Sequence, residues 1–198
     1  MRALVIVAAV ITAVAAAAPA IAGPADTPGF TKAFSCSACH GGAGASRGDA
    51  VPVLAGMPVW YFKKAIDDYA AGRRPSPEME PFSKMVRTLG VDDIAGYFAA
   101  QPRAASPIKV DSAAVARGRT ASTPCVPCHG VNGRGDETKG APDLTGQPPG
   151  YLLNQLKLFK AEKRSPGDAN LTAVKAVMKG IDDATLADLA AYYSSLGR

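Results

Sequence analysis

Histidine is scarce: the 198 residues carry only two. No spare imidazole is left for general-base work, and neither a Ser-His-Asp set nor a phosphate-binding loop can be assembled. The acid pairs Asp67-Asp68, Asp92-Asp93 and Asp182-Asp183 are unpersuasive as catalytic acids. The last two pairs suit helix starts, where the macrodipole favours negative charge. Charge of one sign is also lacking. Lys and Arg total 22 against 17 acids, a net +5, with no block of like charge long enough to make a nucleic-acid arm. Alternation of period two never lasts long enough to suggest a sheet, so the expected fold class is all-α.

Long apolar runs are absent except at the start. Met1-Arg2 leads into an apolar stretch from Ala3 to Ala18, closed by Ala20-Ile21-Ala22. A positive start, an apolar middle and a small-x-small cleavage pattern read as a secretory signal over residues 1–22, cut before Gly23. The run is only marginally long enough to be an anchor. The chain is therefore expected in the periplasm, with no further membrane span.

Cysteine is present four times, as Cys36-Ser37-Ala38-Cys39-His40 and Cys125-Val126-Pro127-Cys128-His129. Both histidines of the chain directly follow the second cysteine of a pair. In such a segment one helical turn presents two thiols for thioether formation with haem vinyl groups and sets the adjacent imidazole beneath the iron, the pattern of c-type attachment. Cys36, Cys39, Cys125 and Cys128 are thus expected to hold two haem c groups covalently, with His40 and His129 as iron ligands. A disulfide pair has no need of an adjacent histidine. A tetrahedral zinc site would require both pairs to merge, and a thioredoxin-like pair needs a βαβ context that is missing.

The chain repeats itself. CSACHGG, PVLAGMP and YFKKAIDDYAAGRR in the first half answer CVPCHGV, PDLTGQP and YLLNQLKLFKAEKR in the second. Each half ends in an apolar helix, Val91 to Ala100 and Leu186 to Leu196, bearing an aromatic pair. Gln101 to Pro107, polar and proline-bearing, reads as a linker. The expected units are 23–104 and 105–198, small enough that a buried haem would supply missing core volume. Short helices are expected near Phe30–Phe34 and Ala113–Arg119, with loops at 41–48 and 130–149.

Each iron needs a second axial ligand, and no histidine remains. Methionine is the usual alternative. Beyond the signal stand Met57, Met79, Met85 and Met178. Met57 occupies the place of Gln147 in the repeat and is a poor candidate. Met79, in an irregular stretch before the last helix, is favoured over Met85, which reads as core packing. In the second half the position matching Met79 is Val174, and Met178 lies one helical turn later. Either the longer segment from Arg164 to Ala173 repositions Met178, or the second iron is open or takes Lys175 or Lys179. The carbonyls of Pro52 and Pro142 follow their motifs by matching distances and could accept from the ligand imidazoles; two turn prolines are the alternative. Arg73, Arg74 and Arg164 are candidates for pairing with haem propionates. Lys157, Lys160 and Lys163 read as a solvated helix face rather than a docking patch.

Over nearly all of the mature chain these motifs resemble the dihaem cytochromes c4. The likeness rests on CxxCHG, P-x-L-x-G, the Tyr-Leu-x-x-Gln-Leu-x-x-Phe-Lys run of residues 151–164, Met79-Glu80-Pro81-Phe82 and the terminal Ala-Tyr helix. The resemblance implies two tandem class I cytochrome c domains with axial pairs His40/Met79 and His129/Met178. It implies Pro52 and Pro142 as the histidines' carbonyl partners, and propionates facing each other across an approximate two-fold axis. It also implies an electron carrier without substrate chemistry, serving respiratory redox partners such as a terminal oxidase. The electron-accepting subunit of a sulfur-compound dehydrogenase such as flavocytochrome c, with a flavoprotein partner, shares this plan. Nucleic acid is not among the expected partners, and peripheral membrane association stays open.

Overall fold

The computed structural model describes residues 26–165 and 168–197, so the expected signal segment lies outside the described residues. The described chain is all-α apart from one isolated bridge, Asp136 to Ala141. In chain order the helices are α1 (Gly29–Ala33), α2 (Ser37–His40), α3 (Val59–Ala70), α4 (Met79–Leu89) and α5 (Val91–Ala99). They are followed by α6 (Ser112–Ala121), α7 (Val126–His129), α8 (Pro149–Lys160), α9 (Thr172–Lys179) and α10 (Asp183–Ser195). Among the described residues no helix is long and apolar enough to cross a membrane.

Two apolar clusters form, and they share no residue. Phe62 and Ile66 of α3 meet Val86 of α4 and Ile94, Tyr97 and Phe98 of α5. In the second half Tyr151 and Leu152 of α8 meet Met178 of α9 and Leu186, Leu189, Tyr192 and Tyr193 of α10. The periodicity of α3 predicts a face of Tyr61, Phe62, Ala65, Ile66 and Tyr69; the last four are buried and Tyr61 is half-buried against the first cluster.

Each half is closed by a helix crossing that packs without a side chain on one partner. A Cβ placed on Gly29 of α1 would lie 2.0 Å from the Asp93 carbonyl oxygen of α5, and one on Gly118 of α6 would lie 2.0 Å from that of Asp188 in α10. Only glycine lets these backbones touch. Both glycines stand seven positions before the first cysteine of their half.

Helix starts follow local chemistry. Asp182 caps α10 by accepting from the Thr185 amide at 2.7 Å, which begins the helix three residues before Leu186. Pro149 opens α8 at a position where its missing N–H costs nothing, so the loop ends one residue earlier than expected. Met79 is the first residue of α4 rather than part of an irregular stretch; its amide is taken up by Ser76 Oγ at 3.1 Å.

The segment from Gln101 to Pro107 is extended but tied down. Gln101 donates to the Tyr97 carbonyl, the Ser106 amide donates to Gly146 O at 2.7 Å, and Arg103 pairs with Asp143 at 2.8 Å.

Candidate functional site

The backbone of each Cys-x-x-Cys-His segment turns through one tight helical loop, α2 or α7, preceded by a 3-10 turn. None of the four cysteines is disulfide-bonded. Among the described residues no three His, Cys, Asp or Glu side chains converge as a metal cluster, so the two pairs do not merge into one zinc site.

Both imidazoles are fixed the same way. His40 Nδ1 lies 2.8 Å from the Pro52 carbonyl oxygen, and His129 Nδ1 lies 2.9 Å from that of Pro142. A carbonyl only accepts, so Nδ1 carries the proton and Nε2 keeps its lone pair free for a metal. Burial holds both imidazoles below the ordinary histidine range, against the opposing effect of these carbonyls.

In front of His40 opens a cavity of about 740 Å³, a cofactor-sized space. Its lining includes Cys36, Cys39, His40, Met79 and Met85 together with apolar residues of α3. A thiol pair, a fixed imidazole and a thioether in one cavity form a donor set that fits haem c. Met79 is half-buried against the first cluster. Met85 is 37% exposed, so the expectation that it packs the core is corrected: it sits at the cavity's rim.

The second half carries the same donor types. Cys125 packs against the second cluster, which contains Met178 at 3% exposure. The Tyr193 ring stands 6.5 Å from the His129 ring. The lysines weighed as alternative ligands are otherwise engaged. Lys175 Nζ donates to Ser165 O at 3.2 Å, and Lys179 pairs with Glu162.

The first cavity is completed by the second half. Arg74, 1% exposed, donates to Tyr151 Oη at 2.5 Å and to Gln155 Oε1 at 2.9 Å. Reciprocally, Arg164 donates to Tyr61 Oη at 3.1 Å, and its buried Nε finds no partner. Among the described residues neither guanidinium pairs with a carboxylate, whereas Arg73 is taken by Asp68 at 2.9 Å. The buried, unpartnered Nε of Arg164 leaves donor capacity that a carboxylate could take up. The Lys157 and Lys160 ammoniums share Asp183, at 3.7 and 2.7 Å, which supports a solvated face rather than a free basic patch.

Sequence reasoning missed Gln147 and the cross-paired tyrosines. A usable signal existed: Tyr61 to Arg74 and Tyr151 to Arg164 are both thirteen positions.

Comparison with known proteins agrees with this geometry. The family model described as cytochrome c matches residues 115–197. The chain is 30% identical over 198 residues to cytochrome c-552 of Acidithiobacillus ferridurans, covering 92% of this chain and 83% of that one. It is 29% identical to cytochrome c4 of Pseudomonas aeruginosa, over 85% and 87% of the two chains. It is 28% identical to a thiosulfate dehydrogenase electron acceptor of Stutzerimonas stutzeri, over 84% and 81%. The structure of reduced recombinant cytochrome c4 from Pseudomonas stutzeri superposes with a TM-score of 0.74 at 27% identity, covering 84% of this chain and 96% of that one. Two haem c motifs, an all-α fold and these relatives together place the chain in the dihaem cytochrome c4 family of electron carriers.

Proposed function

We propose that the chain is exported by cleavage after Ala22 and works in the periplasm, passing single electrons between respiratory partners through one haem in each of the units 23–104 and 105–198. Cys36 and Cys39 hold the first haem by thioethers, with His40 and Met79 as axial ligands. Cys125 and Cys128 hold the second, with His129 and Met178. The haem iron supplies the one-electron change, and the protein sets its ligands and surroundings.

The cavity lined by both the fixed His40 imidazole and Met79 carries this reading. The burial of Met178 and the engagement of both lysines favour Met178 as the second thioether ligand. The guanidiniums of Arg74 and Arg164 have the charge and burial to receive the haem carboxylates at the junction of the halves.

The far-red absorption band that reports methionine ligation provides the test. Met178→Ala should remove half of its intensity, and Met79→Ala the other half. An unchanged band in Met178→Ala, or cyanide binding to the unmodified oxidised protein at one iron, would point to an open second site.

A second reading keeps the same haems but assigns a dehydrogenase as the donor. It draws on the likeness to a thiosulfate dehydrogenase electron acceptor. Reduction of the carrier by a purified sulfur-compound dehydrogenase, faster than by a quinol-fed respiratory complex, would favour it.

A further inference from the structure

One residue of the second half reaches the peptide group that serves the first half's histidine. Gln147 Oε1 accepts from the Val53 amide at 3.0 Å, and Gln147 Nε2 donates to the Val53 carbonyl at 2.9 Å. The Val53 N–H belongs to the same peptide unit as the Pro52 carbonyl, which accepts from His40 Nδ1 at 2.8 Å. Val53 is 2% exposed, so water does not compete freely for this amide. A hydrogen-bonded chain thus runs from Gln147 through the Pro52–Val53 peptide to His40.

The equivalent peptide of the second half is differently served. In the repeat, Gln147 corresponds to Met57, which lines a small interface cavity together with Asp143 and Gln147. A thioether has no N–H and is a weak acceptor. It cannot do for the Pro142–Asp143 peptide what the amide does for Pro52–Val53.

We propose that Gln147 is a positioning residue for the first haem's histidine, tuning His40 through the shared Pro52–Val53 peptide and thereby making the two irons unequal. Accepting from the Val53 N–H pushes electron density onto the Pro52 oxygen, because successive hydrogen bonds polarise one another. A stronger acceptor draws the Nδ1 proton further and makes Nε2 a better donor. A better donor stabilises the oxidised iron, so Gln147 lowers the first potential relative to the second. The proposal rests on His40 being an axial ligand.

Only two histidines exist, so histidine labelled with ¹⁵N gives at most two Nδ1–H signals in the reduced holoprotein. Gln147→Met should move the His40 proton upfield, leave His129 in place, and raise the potential of the first iron alone. Asp49→Ala serves as the comparison. It cuts another bond between the halves, from the Gly150 amide to Asp49 Oδ1 at 2.8 Å, without touching the histidine peptide. It should leave both histidine signals in place, whatever the loss of its carboxylate charge does to the potentials. Unchanged His40 and potentials in Gln147→Met, equal shifts of both histidines, or the same shift in Asp49→Ala would overturn the tuning role. A wild-type His40 signal without the large displacement of a haem ligand would instead overturn the ligand assignment beneath it, and the tuning role with it.

Discussion

Arg74 of the first half donates to the Tyr151 hydroxyl of the second at 2.5 Å, and the exchange is returned by Arg164 and Tyr61. The four residues sit at matching places in the repeat, so the junction is built twice from one pattern. A buried guanidinium near an iron disfavours the extra positive charge of the oxidised state. Arg74→Gln should therefore lower the potential of the first haem. It should also destabilise the protein by about 2 kcal/mol, the scale of a lost charged hydrogen bond. Redox titration and denaturant unfolding read the two effects separately. A raised potential would show that Arg74 does not act on the iron by its charge.

Gly118→Ala forces a methyl against the Asp188 carbonyl, a contact with no flexible side chain to yield. Overpacking of this kind costs about 1–3 kcal/mol. Thermal unfolding should begin in the second half, with loss of the second haem's visible signal before the first's. Gly29→Ala should reverse that order. Two variants that melt identically to wild type would contradict the close crossings.

Asp68 shows how acid should weaken the junction. Burial pushes its carboxyl up, but Lys64 at 2.6 Å and Arg73 at 2.9 Å outweigh this and hold it below the ordinary range. Because the folded value lies below the unfolded one, Asp68 stabilises fully above about pH 4 and less as pH falls through the folded value. Asp68→Asn should cost about 1 kcal/mol at pH 7, since both cations are partly exposed. The gap from wild type should close in strong acid. A gap independent of pH would assign the loss to packing.

Much of the fold and the site is legible in the residues themselves. The Cys-x-x-Cys-His segments, the repeat and the helical face of α3 are local patterns, and all recur in the structure. What is not local was not legible. Gly29 and Gly118 look like ordinary glycines until α5 and α10 pack against them. Arg73 and Arg74 are neighbours in sequence, yet one stays exposed while pairing with the buried Asp68 and the other is buried against the opposite half. Gln147 carries no local signal of its role because its partner, the Val53 backbone, lies 94 positions away. Met79 read as loop because Pro81 follows, but proline is tolerated in the first turn of a helix.

Intact-mass spectrometry of the holoprotein decides whether each cysteine–histidine pair carries its own haem. The predicted mass is that of the polypeptide plus two haem groups that survive denaturation. Bare polypeptide, or polypeptide with a single haem, would contradict covalent attachment at both Cys36/Cys39 and Cys125/Cys128.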